Sequence, residues 1–225
     1  ETKNVIVAAP TGIAASNVNG ATIHSVFSLP IFEVINYSNC TFLKTNKRSV
    51  LKKTDVLIID EVSMLRADML DGINFTLLKN GCKVLKDIQV ILIGDMKQIK
   101  PVIQDNFKTM MLREYDGFDF TFSKIHKDLN LNNVELVEMQ RQTDLEFIDN
   151  LNLVRDGKKA PYFKQFINIE RKGVVLAPHN DTVKKYNKEG LDYLSGDLFV
   201  YETEVNGNAK PSDFNFDDKL KIVLL

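Results

Sequence analysis

The chain has 225 residues, 44% of them hydrophobic and 26% charged, enough for one large α/β domain or for a domain and part of a second. Its net charge of −1 excludes a global basic field, so any nucleic-acid surface must be a local patch. Cys40 and Cys82 stand apart from each other and from any His cluster, which argues against a disulfide scaffold or zinc site and for a reducing compartment; no apolar run approaches a membrane span, and no signal peptide opens the chain.

Asn4 to Ala9 (NVIVAA) reads as a short buried strand that runs into a turn, Pro10-Thr11-Gly12. Ile13 to Ser16 then begins a helix in small residues, which let backbone approach a ligand, and exposed amides at a helix start suit a phosphate. Gly20 to Phe27 (GATIHSVF) offers Thr22, His24 and Ser25 as hydrogen-bonding side chains beside Phe27, an aromatic able to stack on a base. The plainer alternative is a strand–turn–helix unit with a satisfied core histidine. Ser28 to Lys53 is less regular and carries Phe42, Lys44, Lys47, Arg48, Lys52 and Lys53. It is either a small insertion touching a phosphate backbone or a solvated loop.

Thr54 to Leu65 (TDVLIIDEVSML) holds the sharpest signal. Val56, Leu57, Ile58 and Ile59 are apolar at every position, as in a parallel strand buried on both faces. The strand ends on adjacent carboxylates, Asp60 and Glu61, at the end of an open sheet where ligands bind. Two acids there repel each other and lose water, which a divalent cation and a reacting water make tolerable. The expectation is that Asp60 anchors Mg²⁺ and Glu61 polarises the attacking water of a nucleotide triphosphatase. The spacing of Met69, Leu70, Ile73, Leu77 and Leu78 predicts an amphipathic helix within Arg66 to Leu85. Ile88 to Ile93 is the next buried strand, closed by Gly94-Asp95. Gln98 follows on a loop with Lys97, Lys100 and Pro101, where an amide can report on a terminal phosphate.

Phe107 to Phe122 predicts a helix with a Phe-rich, core-forming end. Val134 to Val137 reads as a strand leading to Gln140-Arg141-Gln142, and Thr143 or Asp144 caps a helix from Leu145 to Arg155. Arg141 reaches a phosphate with its fork of donors or pairs locally with Glu138 or Asp144. Asp156 to Lys172 is the candidate domain junction. Gly173 to Ala177, the loop Pro178-His179-Asn180-Asp181 and a helix from Thr182 to about Leu194 repeat the opening pattern, as a second α/β lobe would. Val200 to Phe216 reads as loop with a turn at Asn206-Gly207, and KLKIVLL as a strand whose partners lie past the end. Both ends look cut.

The order of these features resembles the Pif-type DNA helicases, the RecD-related branch of superfamily 1 that moves 5′ to 3′. The matching stretches are APTGIAASNVNGATIHSVF, DVLIIDEVSML (the Walker B), VILIGDMKQIKPV, LVEMQRQTDLEFIDNLNLVRDG and VVLAPHNDTVKKYNKEGLDYLSG, with NAKPSDFNFDDKLKIVLL ahead of a further motif. The resemblance implies an α/β, RecA-like P-loop NTPase sandwich with a mostly parallel sheet. Residues 1–155 form the first lobe, with an insertion at about 28–53; 156–172 form a linker, and 173–225 begin a second RecA-like lobe. It implies ATP and Mg²⁺ as cofactors, with Asp60 holding Mg²⁺ through water, Glu61 activating the hydrolytic water, Gln98 sensing the γ-phosphate and Arg141 neutralising the transferring phosphoryl group. Pro10, Thr11, Gly12, Thr22, His24, Ser25 and Phe27 would touch single-stranded DNA from the first lobe, and Pro178, His179 and Asn180 from the second. Expected partners are single-stranded DNA and duplex junctions, met by an intracellular monomer in genome maintenance, recombination, repair or replication: nuclear or mitochondrial in a eukaryote, cytoplasmic in a bacterium or virus.

Four departures stand beside the resemblance. The Walker A loop (G-x-x-x-x-G-K-[ST]) is not among these residues and is expected upstream of Glu1, on a strand central to the sheet. The chain alone is therefore expected to hydrolyse ATP poorly or not at all. Met96-Lys97 and Lys100-Pro101 replace the family's usual aromatic and double proline, and His179 replaces a small hydroxyl residue. A P-loop ATPase that remodels something other than DNA, and a non-catalytic nucleic-acid-binding module, are the rival readings.

Overall fold

The structure is a computed structural model that describes residues 2–31, 33–166, 176–177, 179–196, 198–202 and 219–223. The chain divides into two compact units, Glu1–Ile148 with Arg155–Gly157, and Asp149–Val154 with Lys158–Leu225.

The first unit is built on four parallel strands in the order β2-β1-β3-β4: β1 Val5–Ala9, β2 Ala21–Thr22, β3 Val56–Ile59 and β4 Gln89–Leu92. β3 is interior because its side chains suit burial on both faces; Leu57 and Ile59 have at most 1% of their surface exposed. β4 is an edge among the described strands, and Ile91 and Ile93 near its end are partly open to solvent. Helices α1 Gly12–Asn17, α2 Ile23–Phe27, α3 Thr45–Lys52, α4 Ala67–Lys79 and α5 Asp105–Glu114 connect and flank the strands, and α6 Leu145–Arg155 is divided between the two units. Ile23, Phe27, Leu57, Ile59, Leu65, Leu70, Ile73 and Leu77 share one core.

Helix α4 carries two buried acids that sew the unit together. Asp68 accepts the Ile35 amide at 2.8 Å and both arms of the Arg66 fork, at 2.8 and 2.6 Å. Asp71 accepts the Tyr115 hydroxyl at 3.0 Å and the amides of Lys124 and Ile125 at 3.1 and 2.9 Å. Burial first, and then the Asp71 charge, push the Tyr115 phenol well above its ordinary pKa, so it stays a donor.

Several expectations need correction. Val134 to Val137 is not a strand: it pairs with none of the described strands, and Leu136 is 91% exposed. The insertion holds a helix, α3, fixed by the burial of Leu51 and by Arg48 donating to the Asn80 carbonyl at 2.8 Å. In the second unit, helix α7 Asn180–Tyr193 is followed by β5 Leu198–Glu202 and β6 Lys219–Val223. The start of the expected Val200 loop is thus strand, and β6 finds its partner inside the chain, antiparallel to β5 from Leu198↔Val223 to Glu202↔Lys219. Of the strand expected at Gly173–Ala177, residues 173–175 lie outside the described residues, as do the turn Asn206-Gly207 and most of the junction's end.

Candidate nucleotide site and nucleic-acid face

Register brings the predicted site residues of the first unit to one end of the sheet. Ala8 of β1 sits beside Ile59 of β3, which sits beside Leu92 of β4, and Ala9 pairs with Thr22. The turn at Pro10, the acid pair at Asp60 and the loop after Gly94 therefore leave the carboxyl ends of adjacent parallel strands, a strand spacing of about 4.8 Å apart.

The acid pair is held by backbone. Asp60 N–H donates to the Ala8 carbonyl at 2.9 Å, and Val62 N–H donates to the Ile93 carbonyl at 3.0 Å. Between them Glu61 adopts a left-handed conformation, φ 53° and ψ 44°, which a side chain tolerates at a cost and which recurs at functional sites. Its amide donates to Asp60 Oδ1 at 3.0 Å. Gly94 makes room for this bend, because a Cβ there would meet Val62 N at 2.8 Å. Both carboxylates are half-buried, and among the described residues no cation pairs with either. Gln98 is exposed, its loop turned back by Gln98 N–H donating to the Asp95 carbonyl at 2.9 Å. Arg141 is exposed just ahead of α6 and is not brought into contact with the acid pair; among the described residues it has no ion pair with Glu138 or Asp144. Asp144 caps α6, accepting the Phe147 amide at 3.1 Å.

On the neighbouring face, Thr11 and Thr22 are helix caps, their hydroxyls accepting from Ala14 N and Ser25 N at 3.2 Å. Pro10 is half-buried, while Gly12 and Ser25 are exposed. Phe27 is a correction: it is 1% exposed and packed in the core, so it offers no face to a base. His24 is turned inward, with Nε2 buried and unpartnered among the described residues. Burial, then the charge of Arg66, lower its pKa against the opposing pull of Asp68, so near neutral pH it is an uncharged ring rather than a phosphate cation. Lys47 joins the insertion to this face, donating to the Ser25 carbonyl and to Ser28 Oγ at 3.1 Å beside a groove lined by Thr41, Phe42 and Lys44. Phe42 is 75% exposed there. In the second unit His179 is the exposed residue preceding α7, and its carbonyl accepts the Val183 amide at 3.1 Å. Asn180 opens that helix, and Pro178 lies outside the described residues.

The family model described as PIF1-like helicase matches residues 1–163. The chain belongs to the PIF1-like helicase family. Among curated relatives, the ATP-dependent DNA helicase Pif1 of Campylobacter jejuni is 28% identical over 92% of this chain and 49% of its own length. That of Psychrobacter is 32% identical over 92% of this chain and 33% of its own length. This PIF1-like chain thus spans half or less of those relatives. Among solved structures, that of two coordinating Pif1 helicases at forked double-stranded DNA matches with a TM-score of 0.84 at 31% identity, over 99% of this chain and 55% of the other. A Bacteroides Pif1 helicase in complex with ADP-AlF3 and single-stranded DNA matches with a TM-score of 0.80 at 30% identity, over 99% and 54%. The fold is accordingly RecA-like α/β, in agreement with the parallel sheet.

Two features of the PIF1-like site are not legible in the sequence, the left-handed Glu61 and a set of ion pairs around Asp95; the inward His24 matches the core-histidine alternative, except that its Nε2 has no partner among the described residues. Only Gly94 hints at the first, as a glycine placed where two loops close on each other.

Proposed function

We propose that this chain is part of the motor of an ATP-dependent DNA helicase that moves 5′ to 3′ on single-stranded DNA and separates duplexes at junctions. The observation that carries the reading is the acid pair at the end of the interior strand, paired with no cation among the described residues and next to the Gln98 loop. In this reading Glu61, held at the bend by its left-handed backbone, takes a proton from the attacking water. Asp60 holds Mg²⁺ through water, and the donor set fits: one hard, half-buried carboxylate suits an ion that keeps most of its waters and binds substrate phosphates. The ion supplies charge neutralisation on the β- and γ-phosphates. Gln98 contacts the γ-phosphate, and Arg141, free of local carboxylates, neutralises charge on the transferring group.

The edge of β4 and the Val-rich Val134–Val137 segment, unpaired among the described residues, both suit pairing with a further parallel strand bearing a Walker A loop, which would complete the phosphate cradle. Residues 1–155 would act as the first lobe, 156–172 as linker and 173–225 as the start of the second. Gly12, Ser25 and the caps Thr11 and Thr22 offer a polar surface to the DNA backbone, extended by the basic groove at Phe42 and Lys44. Pro178, His179 and Asn180 would grip from the second lobe. Free cysteines, with Cys40 buried, suit an intracellular enzyme, and we take the monomer as the working unit.

The test uses the complete protein with duplexes bearing a 5′ or a 3′ single-stranded tail. ATP-dependent separation of the 5′-tailed duplex alone, with hydrolysis stimulated by single-stranded DNA, is the expected result. Separation from the 3′ tail, or hydrolysis indifferent to DNA, would contradict it.

A further inference from the structure

The loop that carries Gln98 is gripped from the far end of α6. Asp95 Oδ1 accepts the Lys97 amide of its own loop at 3.0 Å and the Arg155 guanidinium at 2.8 Å. The other oxygen, Oδ2, receives the Gln98 side-chain amide at 3.4 Å. Lys97 in turn reaches Asp156 at 2.5 Å. Two adjacent residues at the end of α6 thus hold two residues of the loop, sixty positions apart in sequence for the Arg155–Asp95 pair.

The two pairs have opposite polarity, an acid and then a base on the loop meeting a base and then an acid on the helix. That crossing fixes register: a slip that brought Arg155 against Lys97, or Asp156 against Asp95, would set like charges together. Side-chain exposure runs from 23% at Asp95 to 52% at Lys97, so each pair adds little to stability. What the pairs determine is where the loop sits. The start of α6 follows Arg141 closely, so one helix bears the arginine at its head and restrains the Gln98 loop at its tail.

We infer that Arg155 and Asp156 are positioning residues that set Gln98 for the terminal phosphate by clamping Asp95 and Lys97. This rests on the ATPase reading given above. Because the clamp acts on a group that meets the phosphate during turnover, its loss lowers kcat more than it raises KM.

The test is charge reversal in the complete protein: Lys97→Glu, Asp156→Lys and the double variant, with ATP turnover measured at saturating single-stranded DNA. Each single reversal is expected to lower kcat about threefold, as suits a half-exposed pair, with KM for ATP and the thermal midpoint unchanged, and the double variant to regain the loss. Singles that turn over like the parent, or a double no faster than the singles, would overturn the clamp. A second readout needs no turnover: hydrogen exchange at the Lys97 and Gln98 amides should quicken in each single variant and return in the double. If the parent fails to hydrolyse ATP, or Glu61→Gln leaves hydrolysis intact, the ATPase reading fails by itself. Exchange then decides the clamp, and unchanged exchange in the singles rejects it.

Discussion

Replacing Gly94 by alanine adds a single methyl group at the point where the acid loop and β4 close on each other. The new Cβ would stand 2.8 Å from Val62 N, 3.0 Å from Val62 Cγ2 and 3.3 Å from Ser63 N. Two of these three are backbone atoms of the bend that follows Glu61, so no rotamer change relieves the conflict. The bend must move off β4, stretching the 3.0 Å bond from Val62 N–H to the Ile93 carbonyl. Overpacking costs about 1–3 kcal/mol and the weakened bond about 1 kcal/mol, offset by about 0.4–1 kcal/mol from a stiffer unfolded chain, a net loss near 2 kcal/mol. At about 2–4 °C per kcal/mol for a unit of this size, the thermal midpoint should fall by about 4–8 °C. The displaced Glu61 should lower ATP turnover by about 10²-fold at temperatures where the variant is still folded. Calorimetry and a coupled ATPase assay on the complete protein measure both. A Gly94→Ala protein with the parent's midpoint and the parent's turnover would refute the claim that this close approach sets the acid pair.

Other substitutions separate fold from site. Asp71→Ala strips a buried acceptor from Tyr115, Lys124 and Ile125 and should cost about 3 kcal/mol in urea unfolding, as suits buried neutral donors left unsatisfied; a loss below about 1 kcal/mol would show the network to be dispensable. Phe27→Leu should lower stability while the folded protein keeps its affinity for single-stranded DNA, because the ring is buried; selective loss of DNA binding would restore a contact role. His24 has a folded pKa held below 6.5, so the unfolded chain binds its proton more tightly. Its contribution is full above pH 6.5 and is lost as the pH falls below that value, by up to about 1.4 kcal/mol per unit. His24→Gln should flatten that part of the stability profile, and an unchanged slope would assign the titration elsewhere.

What could be seen in the sequence follows from what is local. The runs of β1, β3 and β4 and the periodicity of α4, α6 and α7 are local patterns, and each appears within a few residues of the expected place. The acid pair is legible for the same reason, since its position depends only on where β3 ends. Val134 to Val137 misleads because apolar composition shows a preference for pairing but not whether a partner is present. Phe27 misleads because an aromatic beside hydroxyls suits a stacking face and a core equally, and the choice is made by α4 packing over it. Asp68 and Asp71 look like the polar side of an amphipathic helix. They are buried instead because partners from distant segments, the Ile35 amide and the Tyr115–Ile125 stretch, satisfy them. Asp95, Lys97, Arg155 and Asp156 pair across a sequence distance that no spacing rule covers.

In the proposed DNA-driven motor Asp60 and Glu61 form the hydrolytic half of the ATP site, and Glu61→Gln in the complete protein isolates that role. The substitution keeps size and hydrogen bonding but removes the base. Single-stranded-DNA-stimulated hydrolysis should fall by about 10²-fold or more, in the range of a lost general base, while ATP and DNA still bind. Hydrolysis at the parent's rate, with binding intact, would contradict it.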